Sequence, residues 1–253
     1  MNKAMTKKPE TSGAARQAPL YKRVLFKVSG EALMAESGFG IDPEVIGRVA
    51  RDIKAGVEMG VTVGVVIGGG NIFRGVSLAN KGADRVTADH MGMLATVMNA
   101  LSMRMALTEI GVPAVVLNAL NMPQISESFS QRRLEEHLAD GKVVVFAGGT
   151  GNPYFSTDTA AALRASEMRC NALFKGTQVD GIYSADPRKD AKAERYDHLT
   201  HSQVLERGLA VMDAAAIALA RDAGIPVVVF SIHKEGEFAR ILKGEGRCTT
   251  VSG

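Results

Sequence analysis

Lys27, Ser29 and Gly30 follow one another at the end of an apolar run, residues 24–28, in the order Lys27-Val28-Ser29-Gly30-Glu31. A cation, a hydroxyl and a glycine are means of holding phosphate oxygens, and the carboxyl ends of strands are where open α/β sheets bind ligands. Two further glycine clusters, Gly68 to Gly70 and Gly148 to Gly151, close other apolar runs. Such turns lack Cβ atoms, so backbone N–H groups can approach phosphate, and the helices that follow add positive dipole ends. One glycine turn is commonplace. Three at equivalent strand ends predict a site.

The familiar nucleotide signatures fail letter by letter. Phe73 stands where GxGxxG requires its third glycine, and no GxxxxGK[ST] occurs, which excludes Rossmann and P-loop enzymes by motif. Charged residues lie near the turns. Lys27 either snorkels to the surface or binds phosphate, and Arg74 is either a solvent arginine or a fork for a phosphate. Asp89 fits both an N-cap and a ribose anchor, and Asp158 has the same two readings. Asp213 falls inside an otherwise apolar stretch, where a carboxylate needs a partner, and a lysine is the obvious one. The five histidines show no HExxH pairing and read as capping or surface residues. There is no GxSxG elbow.

The elements that must position these residues alternate. Strands are predicted over 24–28, 61–67, 114–117, 142–146, 172–174 and 225–230. Helices are predicted after Asp42-Pro43, over 88–110, 130–138, 157–168, 208–222 and 235–242. Strands alternating with helices at this spacing predict a three-layer α/β/α sandwich with a mostly parallel central sheet. The methionines of the 88–110 helix (Met91, Met93, Met98, Met103 and Met105) read as core or subunit-interface filler rather than metal ligands.

The 253 residues suffice for one α/β domain, expected over 21–253, with a polar flexible tail over 1–20. A net charge of +3, partly carried by that tail, implies no dedicated nucleic-acid surface. Cys170 and Cys248 lack CxxC or zinc spacing, which predicts a reducing, cytoplasmic setting. No run is long and apolar enough to span a membrane.

Taken together, several motifs resemble one family. Lys27-Val28-Ser29-Gly30-Glu31, Gly38-Phe39-Gly40, the run from Ile67 to Gly75, the Asp89-His90-Met91-Gly92-Met93 helix start, Gly149 to Asp158, and Val179 to Pro187 are similar to those of the bacterial uridylate kinases of the amino acid kinase fold. The resemblance runs from about Tyr21 to the end. It implies transfer of the ATP γ-phosphoryl group to UMP, with Mg²⁺ carried as MgATP, in a homohexamer of the pyrimidine pathway. Lys27, Arg74 and Asp213 would be catalytic, with Asp213 positioning Lys27. Lys27, Val28, Ser29, Gly30, Gly70 and Arg74 would contact ATP phosphates, and Thr177, Tyr183 and Asp186 its nucleoside. Gly69 and Asp89 would bind UMP together with the loop Thr150, Gly151, Asn152, Pro153, Tyr154, Phe155, Ser156 and Thr157. Ala35, Glu36, Ser37, Gly38, Phe39 and Gly40 align with a region tied to GTP activation, and UTP would inhibit.

The physics fits the resemblance. An ionised acceptor phosphate is already a nucleophile, so catalysis reduces to alignment and charge neutralisation. Mg²⁺ bound mainly through phosphates and water needs few carboxylates. A kinase of carboxylate or carbamate acceptors shares the fold, but small acids offer Asp89 no ribose. A nucleotide-sensing regulator is the reading from another class, and the joint presence of Lys27, Arg74 and Asp213 disfavours it.

Overall fold

The computed structural model describes residues 18–34, 38–73, 82, 84–190, 192–209 and 211–253. The tail expected over 1–20 lies outside the described residues as far as residue 17, and so do Ala35, Glu36, Ser37 and Arg74.

Among the described residues the sheet has nine strands: β1 (Arg23–Val28), β2 (Thr62–Ile67), β3 (Ala114–Asn118), β4 (Glu127–Ser128), β5 (Val143–Ala147), β6 (Ala172–Thr177), β9 (His198–Leu199), β10 (Val227–Ser231) and β11 (Thr249–Val251). Their order is β4-β3-β5-β2-β1-β6-β10-β11-β9, and every pairing is parallel except β10 with β11. A separate hairpin joins β7 (Ile182–Tyr183) to β8 (Arg195–Tyr196). Strand β1 is apolar apart from Arg23 and Lys27, as a strand covered on both faces must be.

Helices cover both faces. Helices α1 (Pro43–Glu58), α2 (Arg85–Glu109) and α7 (Glu237–Leu242) bury Ile53, Met103 and Phe238 with Val24, Phe26 and Val28 on one face. On the other face, α3 (Gln131–Ala139), α4 (Thr157–Glu167), α5 (His201–Glu206) and α6 (Ala214–Asp222) bury Leu134, Ala161, Val204 and Ile217 with Leu25 and Leu173. This is the three-layer sandwich that the alternation predicts. Because side chains alternate along a strand, Lys27 and Lys175 share the face of Leu25 and Leu173.

An aromatic cluster clamps the first face. Phe26, Phe174 and Phe230, from three neighbouring strands, meet Phe238 of α7. The Phe26 and Phe238 rings stack with centroids 4.9 Å apart, and Phe174 meets Phe238 edge-on at 5.2 Å.

Two helix starts differ from the sequence pattern. Helix α2 begins at Arg85, and its N-cap is Asp84, whose carboxylate accepts from Thr87 N at 2.7 Å. Asp89 therefore sits within the second turn and caps nothing. The helix that the apolar pattern starts at Gly208 begins at Ala214, because Asp213 turns its carboxylate onto Ala216 N at 2.9 Å and caps it. The pattern also passed over β4, β7, β8, β9, β11 and α5, which are too short for periodicity, although Thr200 and Gln203 form a capping box ahead of α5. Two histidines depart from the surface reading: His201 is buried, and His137 is largely covered.

Replacing Phe174 by Ala is expected to lower unfolding free energy by about 3–5 kcal/mol, measured by urea titration, because the cavity lies between strands that cannot collapse onto it. A loss below about 1 kcal/mol would mean that the cluster is not tightly packed.

Candidate active site

The registers of β1 against β2 and β6 assemble the site. Lys27 is directly opposite Lys175 on β6, so two ammonium groups project side by side from neighbouring strands, roughly 4.8 Å apart at the backbone. Both lysines are almost fully buried. What makes this tolerable is Asp158 in the first turn of α4: its Oδ1 lies 2.8 Å from Lys27 Nζ and its Oδ2 2.7 Å from Lys175 Nζ. Lys175 Nζ also donates to the Val211 carbonyl.

The protonation equilibria reflect this. Burial would raise the Asp158 carboxyl, but the Lys27 and Lys175 ammonium groups outweigh it and hold the group below its ordinary value. Burial lowers Lys175, Asp158 opposes that shift, and the Lys27 charge adds to it. Two cations facing one carboxylate leave a surplus positive charge, directed at the ligand space beside them.

Glycine makes the neighbouring turns possible. A Cβ on Gly30 would stand 2.5 Å from the Gly68 carbonyl oxygen and 2.7 Å from Gly70 N, so only glycine lets the ends of β1 and β2 meet there. Asn71 and Asn99 hold that arrangement through reciprocal amide bonds of 3.0 and 2.7 Å. Their remaining N–H groups reach Gly40 O at 2.9 Å and Gly68 O at 2.6 Å, so every amide donor of this buried pair is used.

Two cavities open along this edge of the sheet. The first, of about 810 Å³, is lined by Lys27, Ser29, Asp158, Lys175, Thr177 and Tyr183, and extends to Asp186 and Arg188. The second, of about 600 Å³, is lined by Gly69, Gly70, Asp89, Tyr154, Thr157 and Asp213, with Phe155 and Ser156. Asp158 faces one cavity while Thr157 and Thr159 face the other, so the start of α4 forms the partition.

Most residues that the sequence singles out converge here, with corrections. Lys27 pairs with Asp158, not with Asp213. Asp213 instead accepts from Ser156 Oγ and, at 2.9 Å, from Thr159 Oγ1, and it lines the second cavity. Its place as an N-cap aims it at the α4 start rather than at the lysines. Gly70, read as an ATP contact, lines the second cavity beside Gly69. Val28 and Gly30 are buried behind the turn. Thr150, Gly151, Asn152 and Pro153 stand outside the wall of the second cavity, in a turn where Thr150 Oγ1 accepts from Asn152 N at 3.1 Å. Of the segment 35–40, Gly38, Phe39 and Gly40 are described, and Gly40 N donates to Asn71 O at 2.9 Å. Lys175 was missed: as the single charge in an apolar strand, one residue before Gly176, it carries the same signal as Lys27.

A family model described as the amino acid kinase family matches residues 22–231. The chain belongs to the amino acid kinase family. It is 65% identical over 234 residues to the uridylate kinase of Brucella anthropi, covering 92% of this chain and 98% of that protein. The uridylate kinase of Agrobacterium fabrum is likewise 65% identical, over 233 residues, with 92% and 97% covered. Among solved structures of the family, UMP kinase from Bacillus anthracis superposes with a TM-score of 0.88 at 37% identity, covering 92% of this chain and 96% of that one. UMP kinase from Ureaplasma parvum follows with a TM-score of 0.87 at 35% identity, with 92% and 99% covered.

Asn99→Ala should strand the Gly68 carbonyl and the Asn71 amide in the interior and cost about 1–3 kcal/mol in urea unfolding. The exposed Asn152→Ala, by contrast, should stay within about 0.5 kcal/mol of the parent. Equal effects would show that the buried amide pair does not hold the turn.

Proposed function

We propose that this chain is a UMP kinase that transfers the γ-phosphoryl group of MgATP to UMP, giving ADP and UDP. The observation that carries the reading is the Lys27–Asp158–Lys175 cluster beside the partition between two nucleotide-sized cavities. MgATP occupies the first, its nucleoside against Thr177, Tyr183 and Asp186 and its phosphates toward Lys27, Ser29 and Lys175. UMP occupies the second, its ribose at Asp89 and its phosphate toward Gly69 and Gly70.

In the transfer, a UMP phosphate oxygen attacks the γ phosphorus while the bond from that phosphorus to the β–γ bridging oxygen breaks and ADP leaves with the electron pair. No proton has to be removed from the acceptor. The protein must align the groups and offset negative charge on the transferring oxygens. Lys27 and Lys175 offer fixed cations there, and Asp158 holds both ammonium groups in place. Asp213 holds the α4 start through Ser156 and Thr159. Among the described residues no group of three or more His, Cys, Asp or Glu is placed to hold a metal, and Mg²⁺ enters as part of MgATP. Arg74 is proposed as a further phosphate contact.

The regulatory and assembly readings belong to the same proposal. GTP activates through the segment Ala35 to Gly40, a reading supported by the reciprocal bonds beside the glycine turn, in which Gly40 N donates to Asn71 O and the Asn71 side-chain amide donates to Gly40 O, and UTP inhibits. The proposed assembly is a homohexamer, and what supports self-association is α2, which leaves Met91, Leu94, Met98 and Met105 exposed at helical spacing as a stripe that another copy would cover. No helix among the described residues is long and apolar enough to cross a membrane. The cytoplasmic setting we propose rests instead on Cys170 and Cys248, which lack CxxC or zinc spacing.

Initial rates with MgATP against UMP, CMP, dUMP, acetylglutamate, aspartate and carbamate, each with and without GTP or UTP, test the reading. UMP should be the strongly preferred acceptor. Lys27→Ala should lower turnover by about a hundredfold or more with the fold intact by circular dichroism. Preference for an acid would replace the acceptor, and near-normal turnover of the variant would remove Lys27 from its role.

A further inference from the structure

Asp89 is held from two directions. Arg85, one turn earlier on α2, places its Nε 2.9 Å from Oδ1 and 2.8 Å from Oδ2, and the Tyr154 backbone N–H donates to Oδ2 at 2.8 Å. The Arg85 guanidinium carbon lies 5.5 Å from the centre of the Tyr154 ring. Tyr154 reaches Asp89 in a left-handed conformation, with φ 71°, that a tyrosine seldom adopts. All three residues line the second cavity.

An i,i+4 arginine–aspartate pair on an open helix face is ordinary and weak. This one differs because the Asp89 side chain is only 12% exposed and because its second donor comes from a loop 65 residues away. An ionised carboxylate has about four accepting directions. The single Nε–H of Arg85 is shared between Oδ1 and Oδ2 while the Tyr154 N–H adds a second donor on Oδ2, so Oδ1 is the less occupied oxygen and the one open to a further hydrogen bond.

We propose that Arg85 is a positioning residue that sets the sugar specificity of the acceptor site, by locking Asp89 so that Oδ1, its less occupied oxygen, meets a ribose hydroxyl. The proposal rests on the reading of Asp89 as the ribose anchor and names the residue that makes this anchor selective. Arg85 has a second consequence. An uncompensated carboxylate in this cavity would repel an acceptor that carries a phosphate, and the guanidinium cancels that charge while leaving the hydrogen-bonding direction intact. Without Arg85 the carboxylate can rotate, take water in place of the guanidinium N–H, and accept from either hydroxyl or from neither.

The test compares kcat/KM for UMP with that for its 2′-deoxy and 3′-deoxy analogues, in the wild-type chain, Arg85→Gln and Asp89→Asn, with the KM for ATP and the thermal midpoint measured alongside. The wild-type chain should prefer UMP over at least one deoxy analogue. In Arg85→Gln that preference should shrink about tenfold, mainly through a raised KM for UMP, because a site built around one substrate hydroxyl loses discrimination when its acceptor is no longer fixed. The KM for ATP and the midpoint should stay near the parent values, which a merely structural role for Arg85 would not allow. Arg85→Lys, which keeps the charge but not the guanidinium Nε–H shared by both oxygens, should fall between the two. If Asp89→Asn loses the preference and Arg85→Gln keeps it, the proposal is overturned while the ribose reading stands. If neither variant changes the preference, or if the wild-type chain has none, the ribose reading fails and takes the proposal with it.

Discussion

Two lysines in register on adjacent parallel strands, both nearly buried, repel each other unless a carboxylate stands between them. That constraint organises the molecule. Lys27 and Lys175 are brought side by side by the pairing of β1 with β6, and the rest of the sheet holds that register through apolar residues on both faces. Asp158 reaches both ammonium groups because α4 starts beside the carboxyl ends of these strands. A single carboxylate for two cations is stable enough to fold and leaves a positive surplus for an anionic ligand.

The surroundings follow from what that cluster needs. Ser156 caps α4 by accepting from Asp158 N at 3.0 Å, and Asp213 holds Ser156 in turn, so the carboxylate between the lysines is fixed from behind. On the other side, Gly30 and Gly68 to Gly70 let two strand ends approach closely enough to leave ligand space. The Asn71–Asn99 pair joins that turn to α2 in the interior, where an unpaired amide would be costly. The same helix carries Asp89 into the second cavity. Both cavities are therefore registered to one sheet edge, and the distance between their occupants is set by secondary structure rather than by loops.

Much of this was legible in the sequence. The alternation of β-branched runs with amphipathic stretches gave the layers, and the glycine clusters marked the strand ends correctly. Asp42-Pro43 signalled the start of α1, where Asp42 Oδ1 accepts from Glu44 N at 2.8 Å. Residues whose meaning depends on register were not legible. Nothing local to Lys27 or Lys175 shows that they are neighbours, since that follows from a pairing across nearly 150 residues of chain, and so the sequence points to Asp213 as the partner of Lys27 where the structure has Asp158. Asp213 itself was misplaced because apolar residues continue on both sides of it, and periodicity alone cannot separate a cap from a helix interior. Asp89 was readable as a cap or an anchor, and only the observed start of α2 at Arg85 removes the first choice.

Single-turnover transfer from MgATP to UMP by Asp158→Asn, with enzyme in excess and both nucleotides saturating, bears most directly on this picture. The variant removes the charge between the lysines and keeps the side-chain shape. Calorimetric binding of each nucleotide on the same sample separates chemistry from occupancy. The account predicts that both nucleotides still bind while the transfer rate falls by at least about a hundredfold, the loss typical when preorganised charge at a reacting group is disturbed. A transfer rate equal to that of the parent chain would contradict it, and would mean that the two lysines need no carboxylate to do their work.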